Sequence, residues 1–256
     1  MRAFRIGSKA QTFAAAIMLA SRSTAADSYG EQRVQIVYRR STSGAQRVNA
    51  APAEAAERII SPAPQSRLVA LPTRYFVDAA GVVRSAAQVP SPNFDARPSR
   101  ARISLIVIHS ISLPPGCFGG PWIVQLFTNC LDTTAHPYFE SLAGLRVSAH
   151  FLIRREGVLA QFVPCSLRAW HAGKSIWRGR PRCNDFSIGV ELEGADDVPY
   201  EDVQYRTLAR LTRALRKRYP IADIAGHAEI APGRKTDPGP AFDWPRYRKL
   251  IARKGN

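Results

Sequence analysis

Two short runs, Ser104–His109 (SLIVIH) and Phe186–Leu192 (FSIGVEL), constrain this chain more than any other feature. Continuous β-branched and aliphatic runs of this length suit strands buried on both faces, which requires a sheet covered by helices. His109 stands at the C-terminal end of the first run, and Glu191 and Glu193 stand near the end of the second. Open α/β sheets bind their ligands at that edge. Val147–Ile153 and Leu159–Val163 flank Glu156-Gly157 and predict a hairpin. Glu201–Tyr219 predicts the best helix: Leu208, Leu211 and Leu215 share a face, acids lie in the first turn, and Pro220 follows the end. Shorter helices are expected over Trp122–Phe127 and Trp244–Arg253, and a short strand over Ile221–Ala225. The expected fold class is α/β, a single domain with a central mixed β-sheet flanked by helices.

A third segment, Gly226–Asp243 (GHAEIAPGRKTDPGPAFD), is expected to be a shaped loop. Pro232, Pro238 and Pro240 lack backbone donors, which excludes a regular helix or a central strand. Ordering such a loop costs entropy, and this one carries His227, Lys235 and Asp237. Its plain alternative is a surface loop whose His and Asp cap turns.

Charge and cysteine content narrow the partners. The net charge is +16, of which residues 1–70 carry +6. The one basic cluster, Arg213, Arg216, Lys217 and Arg218, falls near the end of the predicted helix, where cations complement the dipole. No stacking platform or reading helix accompanies the charge, so an anionic peptide is expected rather than nucleic acid. Cys117, Cys130, Cys165 and Cys183 show neither CxxC nor metal spacing and are expected to be free and mostly buried. No run approaches the ~18 apolar residues of a membrane span.

Residues 1–70, rich in Ala, Arg and Ser without sustained periodicity, are expected to be a disordered tail. Within them Arg2, Arg5 and Lys9 precede the short apolar run Phe13–Ala20 and the small residues Thr24–Ala26, a pattern that resembles a signal peptide.

Zinc hydrolases commonly take three protein ligands from His and carboxylate and leave one position open. His109, His227 and Asp237 supply that set, although 118 residues separate the first two. His136, followed by Pro137, reads as a turn residue, and His150 as a packed, hydrogen-bonded residue inside the hairpin strand. His171, in a Trp-His-Ala-Gly turn, stands between lining a pocket and a structural role.

The strings VIHSISLPPGCFGGPW, HPYF, LRVSAHFLIRREG, RAWHAGKS, RCNDFSIGVELEG and GHAEIAPGRKTDPGPAFDW, over roughly residues 74–253, closely resemble the zinc amidase and peptidoglycan-recognition family. The similarity is greatest to its cytoplasmic members that act on 1,6-anhydro-muropeptides. It implies a zinc N-acetylmuramoyl-L-alanine amidase domain over residues 71–256, with Zn2+ on His109, His227 and Asp237, Glu191 activating water and Lys235 steadying the transition state. It further implies Arg146, Arg182, Ser110 and Trp170 as substrate contacts, a muropeptide substrate, a monomer and a cytoplasmic location. Export to the periplasm is the alternative if residues 1–26 act as a signal; an exported amidase on intact wall and a non-catalytic wall-binding protein are the competing functions. Two positions depart from the family pattern: Ser110 where Asn is expected, and Gly233 where Glu is more common.

Overall fold

The computed structural model describes residues 71–253. In chain order the elements are β1 (Ala87–Gln88), β2 (Phe94–Asp95), β3 (Leu105–Ile111), α1 (Trp122–Phe127), α2 (Pro137–Glu140), β4 (Phe151–Ile153) and β5 (Leu159–Gln161). There follow β6 (Arg168–Ala169), β7 (Ile176–Trp177), β8 (Arg180–Pro181), β9 (Ser187–Glu193), α3 (Asp202–Arg218), β10 (Asp223–Gly226), α4 (His227–Ile230) and α5 (Trp244–Ala252). Six strands form one mixed sheet in the order β1-β5-β4-β9-β3-β10. The β4–β5 pair is antiparallel, and β4, β9, β3 and β10 run parallel. The expected α/β class with a mixed sheet is what the chain adopts.

Strand alternation sorts the sheet into two faces. Ile106, Ile108, Ile188, Val190 and Leu192 point one way, into a core completed by Leu208, Leu211 and Leu215 of α3 and Tyr247 of α5. The opposite face of β9 carries Ser187, Gly189, Glu191 and Glu193, which is polar yet fully covered. The second face is therefore the one that holds buried polar groups. Helix α1 covers the β4–β5 side of that face through Ile123, Val124, Leu126 and Phe127, packed with Leu152 and Ala160.

Helix α3 is fixed at its start by the Glu201 N–H, which donates to Gln204 Oε1. The buried Gln204 amide also donates to Ile153 O and Glu193 O, so the helix is tied to the ends of β4 and β9. Arg216, Lys217 and Arg218 lie in its last turn, as expected for cations complementing the dipole.

Several expectations are corrected in detail. β3 runs on to Ile111, so His109 lies within the strand and two residues short of its end. His150 precedes the hairpin strand, which begins at Phe151. The Gly226–Asp243 segment opens with one helical turn, α4, since no proline occurs before Pro232 and Glu229 Oε2 accepts from Gly226 N–H at 2.6 Å. All four cysteines are free, but only Cys165 and Cys183 are buried; Cys117 and Cys130 are exposed. The expectations for residues 1–70, tail or export signal, lie outside the described residues.

Candidate metal centre

Register brings the site together. His109 on β3 pairs with Glu191 on β9, and Gly226 on β10 pairs with Ile108, so His227 leaves the sheet at the level of His109. Three adjacent parallel strands thus present His227, His109 and Glu191 side by side at their C-terminal ends. The loop after α4 returns Asp237 to the same point, held by the hydrogen bond from Ala228 N–H to Asp237 O at 2.9 Å. Gly239 makes this return possible: its φ is +77°, and a Cβ there would lie 2.2 Å from Asp196 Cα.

His109 Nδ1 and His227 Nδ1 are 3.0 Å apart, and Asp237 Oδ2 lies 3.2 Å from the first and 3.1 Å from the second. Both imidazoles are buried and Asp237 nearly so. Burial pushes the Asp237 carboxyl up, but the hydrogen bonds and charges of the two histidines outweigh it and hold it well below the usual carboxylate range. Burial, then the neighbouring His227, pulls His109 down to about 4, so its ring is neutral at pH 7.

No arrangement of protons satisfies this triangle. If both Nδ1 atoms carry hydrogen, two donors face each other at 3.0 Å. If one or neither does, a ring lone pair faces the ionised carboxylate. A cation at the centre removes the conflict, because all three lone pairs then converge on it. Tetrahedral zinc ligands at ~2.0–2.1 Å from the metal lie about 3.3 Å from one another, close to the spacing here. Two imidazole nitrogens and a carboxylate oxygen are a donor set zinc accepts, and these three residues form a cluster capable of holding a metal ion.

Around the triangle, Glu191 is 8% exposed and its Oε2 has no hydrogen-bond partner. Burial raises its pKa well above the usual carboxylate range; the Asp237 charge adds to the rise, and Lys235 opposes it. Lys235 itself is half-buried. The other expected residues are more dispersed. Ser110 Oγ lies 3.5 Å from Asp196 Oδ1, and Trp170 N–H donates to Ser148 Oγ. Arg182 is exposed in a left-handed conformation and pairs with Asp185 at 3.1 Å, while Arg146 is exposed.

The remaining histidines divide. His136 caps α2, its Nδ1 accepting from Tyr138 N–H, in keeping with a turn role. His150 is packed and hydrogen-bonded, its Nδ1 accepting from Gly189 N–H at 3.0 Å. His171 stands outside that cluster, its Nδ1 2.9 Å from His109 Nε2, a contact the sequence did not reveal. Arg97, half-buried, donates from its guanidinium to the carbonyls of Cys165, Asn184, Asp185 and Ser187, and its Nη2 lies 3.0 Å from His150 Nε2.

Comparison with known proteins places the chain in a family. The sequence pattern of the N-acetylmuramoyl-L-alanine amidases matches residues 99–240. The 1,6-anhydro-N-acetylmuramyl-L-alanine amidase AmpD of Salmonella typhimurium is 60% identical over 174 residues, 67% of this chain and 93% of the relative. Its namesake in Escherichia coli is 57% identical over 176 residues, 68% of this chain and 96% of the relative. A crystal structure of a selenomethionine AmpD derivative superposes with a TM-score of 0.67 at 58% identity, covering 69% of this chain and 99% of the other. The chain belongs to the N-acetylmuramoyl-L-alanine amidase family.

Proposed function

We propose that this protein hydrolyses the amide between N-acetylmuramic acid, in its 1,6-anhydro form, and the L-alanine of muropeptides released during cell-wall recycling. The observation that carries the reading is the buried His109–His227–Asp237 triangle, whose three contacts only a cation reconciles. The anhydro preference rests on the relatives, which share that activity by name over nearly their whole length.

A zinc ion held by these three residues supplies Lewis acidity towards the amide carbonyl and the attacking water. Glu191 is assigned as the proton carrier: its free Oε2 takes a proton from the water and returns it to the departing alanine nitrogen. Its raised pKa suits that task, since a base that must also act as an acid works best near the operating pH. Lys235, two residues before a ligand, places its ammonium where negative charge develops on the carbonyl oxygen. Arg182 and Arg146, both exposed, are proposed to pair with stem-peptide carboxylates, with Ser110 and Trp170 as further substrate contacts.

The protein is proposed to act as a cytoplasmic monomer. The large apolar side chains exposed among the described residues, Phe76, Phe94, Leu145 and Ile176, are scattered along the chain, and no described helix is long and apolar enough to cross a membrane. Export remains the second reading on the strength of Arg2–Ala26. Fractionation with N-terminal sequencing separates the two, a periplasmic form starting near Asp27 favouring export.

The central test is metal content with activity. Purified protein is expected to carry one zinc per chain, and His227→Ala to lose both zinc and turnover of an anhydro-muropeptide. Stoichiometric zinc and full activity in that variant would remove the ligand assignment.

A further inference from the structure

A ligand imidazole serves a metal only if its proton sits on the other nitrogen, so something must hold His109 and His227 in the Nε2–H form. For His109 the chain of contacts is unambiguous. Ser187 Oγ lies 2.6 Å from Cys183 O, and a carbonyl can only accept, so the hydroxyl proton points there. Ser187 Oγ must then accept from His171 Nε2–H, 3.2 Å away. In a neutral ring that leaves His171 Nδ1 bare, and it accepts from His109 Nε2–H at 2.9 Å. The lone pair of His109 Nδ1 is thereby turned into the triangle.

The same turn serves the second ligand. Ala172 O lies 3.3 Å from His227 Nε2, and as an acceptor it demands the proton on that nitrogen. Asn184 Oδ1 anchors the turn by accepting from both His171 N–H and Ala172 N–H, and Arg234 donates to Ala172 O and Lys174 O. Strand β9 makes room for the His171 ring: a Cβ at Gly189 would sit 2.5 Å from His171 Cγ.

We infer that the His171–Ala172 turn is the positioning device of the metal centre, with His171 holding His109, and the Ala172 carbonyl holding His227, in the metal-binding tautomer. This rests on the reading of His109, His227 and Asp237 as ligands. His171 touches no reacting atom, so its effect is on metal affinity.

The test is competition between the zinc-loaded full chain and a zinc chelator. His171→Asn keeps an acceptor, the amide oxygen, near the place of Nδ1. His171→Gln is nearer histidine in volume but puts its amide towards Ser187 and leaves His109 Nε2–H without a partner. The expected result is that His171→Asn holds zinc at least about tenfold more tightly than His171→Gln, with His171→Ala weakened ~10–100-fold from the parent. A role in packing alone predicts the reverse order for Asn and Gln. Equal affinities, at any level, or tighter binding by His171→Gln overturn the inference. A parent protein that holds no zinc overturns the ligand reading itself, and does so before any substitution is made.

Discussion

At the scale of single residues, the roles assigned to Glu191 and Lys235 separate by kinetics. Glu191→Gln fills nearly the same space but cannot take a proton, so it should keep zinc while kcat falls by ~10²–10⁴. Unchanged kcat removes Glu191 from proton transfer. Lys235→Ala should lower kcat more than it raises KM, because the charge it opposes exists only in the transition state. A change in KM alone would make Lys235 a substrate-binding residue instead. His150 gives a different kind of prediction. Burial, reinforced by the Arg97 charge, holds its pKa well below 6.5, so the folded protein keeps this ring neutral where the unfolded chain would protonate it. The unfolded state then binds the extra proton below about pH 6.5, and stability falls on acidification by about 1.4 kcal/mol per pH unit for this ring. Urea unfolding between pH 7 and 5 should therefore show a slope one proton shallower in His150→Asn, which retains an acceptor for Gly189 N–H. An unaltered slope would mean that His150 is protonated in the folded state.

At the scale of elements, two substitutions should separate stability from metal binding. Gln204→Leu conserves volume but strips hydrogen bonds from Ile153 O, Glu193 O and Glu201 N–H, and should cost ~1–3 kcal/mol in urea unfolding without loosening zinc. Gly239→Ala meets both a left-handed backbone and the Asp196 main chain two residues from Asp237, so it should weaken zinc as well as stability. Equal zinc affinity in the two variants would detach the loop's shape from the site. The same elements show what was legible beforehand. Long segments with a clear period were: SLIVIH and FSIGVEL became β3 and β9, and the leucine stripe became α3. The candidate cluster of His109, His227 and Asp237 was legible because strand ends and a proline-rich loop are where reactive side chains commonly stand. The polar alternation Ser187, Gly189, Glu191, Glu193 lies within FSIGVELE, but a strand buried along its whole length carries no local mark of which face holds the candidate site. β1, β2, β6, β7 and β8 have two residues each, too few to show any period. The parts of His171 and Arg97 were hidden for another reason. Each depends on a gap or a carbonyl supplied by a distant strand, such as the space above Gly189, and local sequence carries no trace of that.

At the scale of the whole molecule, the open matter is how much of the chain the catalytic unit needs. The three core clusters of the described residues draw their members from Tyr75 to Tyr247. Leu71 lies against the domain just outside these clusters, its Cδ1 2.9 Å from where a Cβ on Gly157 would stand. Any cut must therefore fall before Leu71. Residues 1–70 have no periodic apolar face to add to this core, and we propose the amidase domain as residues 71–256. A chain beginning at Val69 should unfold within about 0.5 kcal/mol of the full-length protein, as changes outside a packed core usually do. It should carry the same one zinc per chain. Charge supplies the second half of the prediction. Shortening removes a net charge of +6 from +16 but leaves the remaining excess of cations on the domain that meets a carboxylate-bearing substrate. Attraction across such a surface is screened as the Debye length shrinks from ~10 Å at 0.1 M salt to ~3 Å at 1 M. kcat/KM should then fall with added salt along the same curve in both forms. A shortened chain that loses zinc or melts earlier would place part of the core upstream of Val69, and one that keeps both but loses the salt dependence would assign substrate attraction to the first seventy residues.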